Sequence, residues 1–324
     1  MSDPLVSIVT PCYRQARFLP DAIQTVRQQS YRRIEHVIVN DGSDDDTDAV
    51  VARYGQGVVY VKQPNRGVSA ARNAGVAAAT GQYLMFLDAD DLLHPDAVRW
   101  LVEAMDGQSN RLCVMGLRLF DPEEHHHEDR LLPCGVPALP RLFEDNLAPP
   151  HGYLCSKKMV QEIGGFDTDP AVWSCEDWDL WLRIALRGAE LVTVARIGAF
   201  YRRYVGSVSS HFERLERARI RVLGGAIRQI KNDPQLLRQW RGEVKKMRRK
   251  LAQGYFDVGY RSARRGEPLA ALAAYARSLQ CGFALPAVIA AMFKTLAHAA
   301  RAAAVGPAPE QWPSPLPRNP AVGK

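Results

Sequence analysis

Over the first hundred residues, short runs of apolar, often β-branched residues alternate with segments of helical periodicity. Strands are predicted at Leu5 to Thr10, Ile34 to Asn40, Val58 to Lys62 and Tyr83 to Asp88. Between them, apolar positions three and four apart predict helices at Arg17 to Gln29, Asp45 to Tyr54 and Val68 to Ala79, each bounded by Gly, Ser, Asp or Pro. This rhythm implies an α/β architecture with a mainly parallel sheet flanked by helices. Ligands of such sheets gather at the carboxyl ends of the strands. That directs attention to Pro11 to Tyr13, Asp41 to Ser43, Gln63 to Gly67 and Asp88 to Asp91.

The pattern then changes. Asp106 to Pro150 is irregular apart from a strand at Leu112 to Leu119, whereas Phe212 to Ala304 has helical periodicity. Within the latter, Tyr255 to Leu279 reads as a helix, a Gly266-Glu267-Pro268 turn and a second helix, resembling one tetratricopeptide-like unit. A lone unit of this kind cannot bury its own apolar face, so it must pack on the first domain, another helix or a partner. Gly306 to Lys324 is rich in Pro and polar residues and reads as disordered. The expected organisation is an α/β domain over 1–210, a helical region over 211–305 and a tail over 306–324.

Charge refines this division. The chain has a formal net charge of +7, yet sixteen Lys and Arg face five Asp and Glu between His211 and Arg265. The basic character therefore belongs to the helical region, either as solvated faces of amphipathic helices or as a surface for anionic lipid head groups. No nucleic-acid-binding motif accompanies it, and no nucleic-acid partner is expected. The most apolar stretch, Leu285 to Ala304, is interrupted by Lys294, His298 and Arg301, so no membrane span is predicted. The opening MSDPLVSIVTPCY has no export leader, and the six scattered cysteines include no CxxC pair, which points to reduced thiols and a cytoplasmic setting.

Two common nucleotide folds drop out, because the first strand runs into Pro11-Cys12-Tyr13-Arg14-Gln15 with neither a GxGxxG nor a GxxxxGK[ST] loop. Acidic residues are the stronger signal. Asp88-Ala89-Asp90-Asp91 ends the strand Tyr83 to Leu87 with three carboxylates. Such a cluster suits a hard divalent cation with a diphosphate, or else a polar turn in which Asp91 favours a following helix dipole. A second group, Ser174-Cys175-Glu176-Asp177-Trp178-Asp179, opens a helix whose Trp178, Trp181, Leu182 and Ala185 repeat at helical spacing. Asp177 at that helix start is either a general base or an acid without catalytic duty. His125-His126-His127 between Glu124 and Glu128 reads as a solvated loop rather than a metal site, since consecutive side chains rarely converge.

Taken in order, VSIVTPCYR, VIVNDGSDDDT, NRGVSAARNAG, YLMFLDADDLLHP, GGFD and CEDWDLWLR resemble the motifs of a family 2 glycosyltransferase with the GT-A fold, over about Leu5 to Ser209. The resemblance implies that Pro11, Tyr13 and Asp41 hold the nucleotide base and that Arg72 helps to fix the nucleotide. It places Asp88 near the ribose, Asp90 on a Mn2+ or Mg2+ ion and Asp177 as catalytic base, with Glu176 and Trp178 shaping the acceptor pocket. Gly164-Gly165-Phe166-Asp167 is either a loop lining the acceptor side or a structural turn. One departure stands out: where the family often carries a histidine that reaches metal or diphosphate, this chain has Tyr204. A phenol can donate to a phosphate oxygen but is a poor metal ligand at neutral pH. His211 could substitute if its loop bends back.

The implied function is inverting transfer of a sugar from a nucleotide donor, a uridine diphosphate sugar, to a glycan or lipid-linked acceptor. Bacterial cell-envelope polysaccharide synthesis fits, with work at the inner face of the plasma membrane through the basic helices. The alternative is a non-catalytic sugar-nucleotide-binding or scaffold protein. A nucleotidyltransferase should instead carry a Gly-rich basic loop after the first strand, which Pro11 to Gln15 does not provide.

Overall fold

The computed structural model describes residues 3–55, 57–121, 126–132, 138–204, 212–282 and 285–305. The chain begins β1 (Val6–Cys12), α1 (Leu19–Arg27), β2 (Ile34–Asp41), α2 (Thr47–Tyr54), β3 (Val59–Gln63), α3 (Val68–Ala78) and β4 (Tyr83–Phe86). It continues with β5 (Leu92–Leu93), α4 (Ala97–Met105), β6 (Arg111–Asp121), β7 (His126–Arg130), α5 (Ala138–Leu142) and β8 (Tyr153–Ser156). Next come α6 (Lys157–Glu162), α7 (Glu176–Leu186) and β9 (Glu190–Arg202). The rest is helical: α8 (Phe212–Asn232), α9 (Pro234–Arg264), α10 (Pro268–Gln280) and α11 (Leu285–Val305).

Nine strands form one sheet in the order β3-β2-β1-β4-β8-β6-β9-β5, with β7 paired to β6. The β3-β2-β1-β4 portion is parallel, as the alternating pattern predicts. β8 then runs antiparallel to both β4 and β6, so the sheet as a whole is mixed. All seven residues of β1 are buried, which explains its uninterrupted VSIVTPC sequence. Pro11 survives in this central strand because β4 pairs with β1 only up to Val9↔Phe86. Beyond that pair β4 leaves the ladder, and the missing N–H of Pro11 faces the gap. The same gap admits the Asp88 to Asp91 turn.

The His125 to His127 segment is not a simple loop. His125 lies outside the described residues, but His126 and His127 belong to β7, in register with Asp121 and Phe120 of β6. This strand has no apolar alternation to reveal it, and a cross-strand ion pair, Arg118 to Asp129 at 2.6 Å, helps to hold it. Among the described residues no group of three or more His, Cys, Asp or Glu is arranged to hold a metal.

The chain divides into two compact units, Met1–Met247 and Arg248–Lys324. The first therefore continues past residue 210 to include α8, which packs on α7. In the second unit the part of α9 beyond Met247 shares with α10 and α11 a core of Phe256, Ala263, Ala271, Tyr275 and Val288. The hairpin read at Tyr255 to Leu279 is present as the end of α9 and the whole of α10, with α11 covering it. Among the described residues no helix is long and apolar enough to cross a membrane. Residues 306–324 and His211 lie outside the described residues.

Candidate active site

A cleft of about 690 Å³ opens at the carboxyl ends of β1, β2 and β4 and is closed on the far side by the start of α7 and by α8. Its lining includes Pro11, Tyr13, Asp41, Arg72, Asp88, Asp90, Glu176, Asp177, Trp178 and Tyr204. These ten motif residues thus reach one cavity, although their sequence positions span nearly two hundred residues.

Asp41 ends β2 and is almost fully buried. Its carboxylate accepts from Gln63 Nε2 at 2.6 Å and from the backbone N–H groups of Arg66 and Gly67, both at 2.9 Å. It therefore fixes the β3–α3 loop against β2 and has at most one acceptor site left for a ligand. Tyr13, 41% exposed, offers its ring to the cleft mouth beside Pro11.

The three carboxylates at the end of β4 have separate fates. Asp88 pairs with Arg72 Nη2 at 2.6 Å. Asp90 accepts from the Tyr204 hydroxyl at 2.8 Å, and burial together with the charge of Asp88 raises its pKa. Asp91 turns inward, accepts from the Arg202 backbone N–H at 2.8 Å and lies 3.4 Å from Nδ1 of buried His151. Burial, then Asp90 and Asp88, push the Asp91 carboxyl well above its usual range, while burial lowers His151 to about 4. Burial thus favours the neutral form of Asp91, and Asp88 and Asp90 are the two less buried carboxylates of the turn. Asp91 does not cap a helix, because α4 starts only at Ala97, behind Asp96.

Those two carboxylates suit a hard divalent ion. Asp90 is a desolvated carboxylate with an acidic neighbour and faces a cleft wide enough for a nucleotide diphosphate. Hydroxyl and carboxylate oxygens are its close partners, the donor chemistry that Mg2+ or Mn2+ prefers. With Asp90 as its protein ligand, such an ion would complete its shell with diphosphate and water oxygens.

Arg72 links the two halves of the cleft. Only 2% exposed, it donates from Nη2 to Asp88 on the β4 side and from Nη1 to Glu176 Oε1 on α7 at 2.7 Å. Burial opposes its charge, but Asp88, Glu176 and Asp177 outweigh that and hold its pKa above the ordinary value. Phe166 packs 5.2 Å from the guanidinium, and its backbone N–H and C=O both bond the Asn73 side chain of α3. Gly164 to Asp167 thus supports Arg72 from behind, and none of its residues lines the cleft.

Asp177 stands at the start of α7, 8% exposed. Burial and the neighbouring Glu176 raise its pKa to about 7, against the opposing pull of Arg72. Glu176 is engaged on both oxygens, by Arg72 and by the Ser174 backbone N–H at 2.8 Å. Trp178 is buried beneath the cleft wall and donates from Nε1 to the Leu142 carbonyl at 2.8 Å.

Three contributors carry no motif signal. Arg202 clamps the acidic turn, donating from Nε to the Asp90 carbonyl at 2.8 Å and from Nη2 to Asp21 at 3.0 Å. Gln15 donates to Tyr204 Oη at 3.1 Å. Asn146, in the irregular segment before β8, donates to Asp177 Oδ2 at 2.7 Å. Only the positions of Arg202 and Gln15 next to recognised motifs hint at their involvement.

Residues 7–159 match the family model described as Glycosyl transferase family 2. An uncharacterized glycosyltransferase of Rickettsia prowazekii is 29% identical over 194 residues, which is 56% of this chain and 58% of that protein. The chain thus spans little more than half the length of that relative. The minor teichoic acid biosynthesis protein GgaB of Bacillus subtilis is 31% identical over 131 residues, 39% of this chain and 15% of that protein. Among solved structures, S. aureus TarS in complex with UDP-GlcNAc superposes with a TM-score of 0.64 at 14% identity, covering 93% of this chain and 92% of that one. The mannosyltransferase PcManGT from Pyrobaculum calidifontis, in complex with GDP-Man and Mn2+, gives 0.61 at 19% identity over 94% and 81%. At these identities the likeness speaks for the fold, which is the GT-A type expected from the motifs.

Proposed function

Because the chain belongs to glycosyl transferase family 2 over residues 7–159, we propose that it is an inverting glycosyltransferase using a nucleotide-sugar donor, a uridine diphosphate sugar, and a glycan or lipid-linked acceptor. The observation that carries this reading is the pairing of two kinds of carboxylate across one cleft. Asp88 and Asp90 form an anionic turn on one side, and Asp177, poised near pH 7, stands on the other. A base with a pKa near the working pH combines availability with proton affinity.

In this reading Pro11, Tyr13 and Asp41 receive the nucleotide base, with Asp88 beside the ribose. Asp90 holds Mn2+ or Mg2+, which when bound supplies positive charge to the departing diphosphate. Arg72 acts through Asp88 and Glu176, keeping both sides of the cleft in register. Asp177 takes the proton from an acceptor hydroxyl as its oxygen bonds to the anomeric carbon. The bond from that carbon to the diphosphate breaks on the opposite face, inverting the configuration. Glu176 and Trp178 shape the acceptor end, and Tyr204, released from Asp90, can donate to a phosphate oxygen. The similarity to a minor teichoic acid biosynthesis protein supports a place in cell-envelope polysaccharide synthesis. We place that work in the cytoplasm at the inner membrane face, with the basic helices against anionic lipid.

A second reading draws on the Tyr204 contact with Asp90: a protein that binds sugar nucleotides without turning them over. Incubation with radiolabelled UDP- and GDP-sugars, with and without Mn2+, separates the two. Metal-dependent transfer or hydrolysis abolished by Asp90→Ala and by Asp177→Asn supports the enzyme. Donor binding without turnover favours the second reading, and no binding at all defeats both.

A further inference from the structure

We propose that Asn146 is a positioning residue for Asp177, set in one orientation by Tyr153 so that its amide N–H holds the carboxylate in place. This deepens the glycosyl-transfer reading and rests on it for its catalytic meaning, though not for its geometry.

The chain of contacts begins in the sheet. Tyr153 opens β8, paired with Val114 of β6, and its ring stacks on Trp181 of α7 with centroids 4.5 Å apart. Both aromatic side chains are fully buried, so the tyrosine hydroxyl is carried at a fixed point. That hydroxyl accepts from the Leu147 backbone N–H at 3.3 Å, and its own proton goes to Asn146 Oδ1 at 3.1 Å. With Oδ1 committed as acceptor, the amide cannot flip without facing its NH2 toward the hydroxyl and its oxygen toward the carboxylate. Nδ2 therefore points at Asp177 Oδ2, 2.7 Å away, the short distance of a bond to an ionised acceptor.

The other carboxylate oxygen is restrained too, since Asp177 Oδ1 accepts from the Trp178 backbone N–H at 2.8 Å. The rotamer of Asp177 is thus fixed from both oxygens before any acceptor arrives. Such preorganisation is what a base must have to meet a hydroxyl at hydrogen-bond range. The charged groups that act on it are Glu176 on the same helix and Arg72 from α3, while Asp145 and Arg219 of α8, paired with each other at 2.7 Å, line the same cleft. Cys175 and Tyr153 also adjoin it, and burial keeps both neutral by raising their pKa values. None of these groups donates a hydrogen bond to the Asp177 carboxylate; Asn146 does. Its N–H favours the charged form, opposing the burial and the Glu176 charge that favour the proton.

The test is a titration of the full chain labelled with 13C at Asp Cγ, the Asp177 resonance being assigned by its loss in Asp177→Asn. Wild type should titrate near pH 7. Asn146→Leu, close in shape but with no donor, should move that midpoint up by about one unit, as expected for loss of a hydrogen bond to a charged group. Tyr153→Phe keeps the amide but removes its orienting partner, and a smaller shift in the same direction is expected. If Asn146→Leu does not fold, Tyr153→Phe alone carries the test. An unmoved midpoint in the variants that fold overturns the proposal whether or not the protein turns over a donor. With a donor found among the sugar nucleotides above, the acid limb of kcat/KM should move by the same amount in Asn146→Leu. Donor Kd should stay within about twofold, and most of the roughly fivefold loss that a midpoint one unit higher gives at pH 7 should be recovered at pH 9. A loss equal at both pH values, with the midpoint unchanged, would mark Asn146 as merely structural. Absence of wild-type turnover would count against the glycosyl-transfer reading while the titration still decides the role of Asn146.

Discussion

At the scale of single residues, the site shows how far environment divides side chains of one type. Asp88, Asp90, Asp91 and Asp177 share one cleft, yet one is ion-paired, one is held by a phenol, one is buried where its neutral form is favoured and one is poised near neutrality. The last has a consequence for stability. A carboxyl held at about 7 in the fold and near its ordinary value when unfolded binds its proton more tightly in the folded state. It therefore supports folding at low pH, and that support is lost as pH rises from about 4 to 7, above which the buried carboxylate is a fixed cost. Asp177→Asn removes the cost. We expect the variant to be more stable than wild type at pH 8, by on the order of 2 kcal/mol, and indistinguishable from it at pH 4. Urea unfolding at the two pH values checks this, and a gain of equal size at both would mean that burial does not bias the proton. A residue that costs stability where the enzyme works, and sits facing the cleft, fits a functional rather than a structural duty.

At the scale of elements, the parallel strands β1 to β4 and helices α1 to α3 are legible because β1 and β4 are buried along their whole length and β2 and β3 carry short β-branched runs bounded by turn residues. β5, β7, β8 and β9 are not delimited by the same reading, for identifiable reasons. β5 is two residues long, β7 is His126–Arg130 with five polar side chains, and β9 is only half-buried at most of its thirteen positions. The motif residues themselves could be read because each sits next to a strand end or helix start. Asn146, by contrast, reaches Asp177 only through a loop whose path depends on the Tyr153–Trp181 stack, a tertiary contact that no local pattern encodes. The Gly164 to Asp167 turn was ambiguous in sequence for a similar reason, since its partner Asn73 lies on another element. A Cβ on Gly165 would come 2.5 Å from Asn73 Oδ1, whereas one on Gly164 would meet nothing within 4 Å, although φ is positive at both. Gly164→Ala should therefore cost about 1 kcal/mol of backbone strain, and Gly165→Ala about 1 to 2 kcal/mol more. Because Phe166 sits against Arg72, Gly165→Ala should also weaken nucleotide binding, as measured by calorimetry with UDP. Equal stability and equal affinity in the two variants would show that the turn does not brace the cleft.

At the scale of the whole molecule, charge is distributed by unit. From Arg248 to Val305 there are nine Lys and Arg against two Asp and Glu, a surplus equal to the net +7 of the entire chain. Arg249 and Lys250 are exposed on the long helix α9, which bends at Trp240. α11 adds an apolar stripe, with Ile289, Phe293 and Leu296 all more than a third exposed at helical spacing. A surface with this combination is suited to an anionic bilayer: cations reach the head groups and a few apolar side chains enter the interface. Each cation near such a surface contributes about 1 kcal/mol, so Arg249→Gln together with Lys250→Gln should weaken binding about tenfold to thirtyfold. The full chain should co-sediment with phosphatidylcholine vesicles containing anionic phosphatidylglycerol at low salt, and much less at ten times that ionic strength, where the screening length falls to a few ångström. The double variant should keep wild-type affinity for UDP, because neither residue lines the cleft. Equal binding to purely zwitterionic vesicles would remove lipid charge from the account and leave the basic helices as solvated faces, the simpler reading of the same sequence.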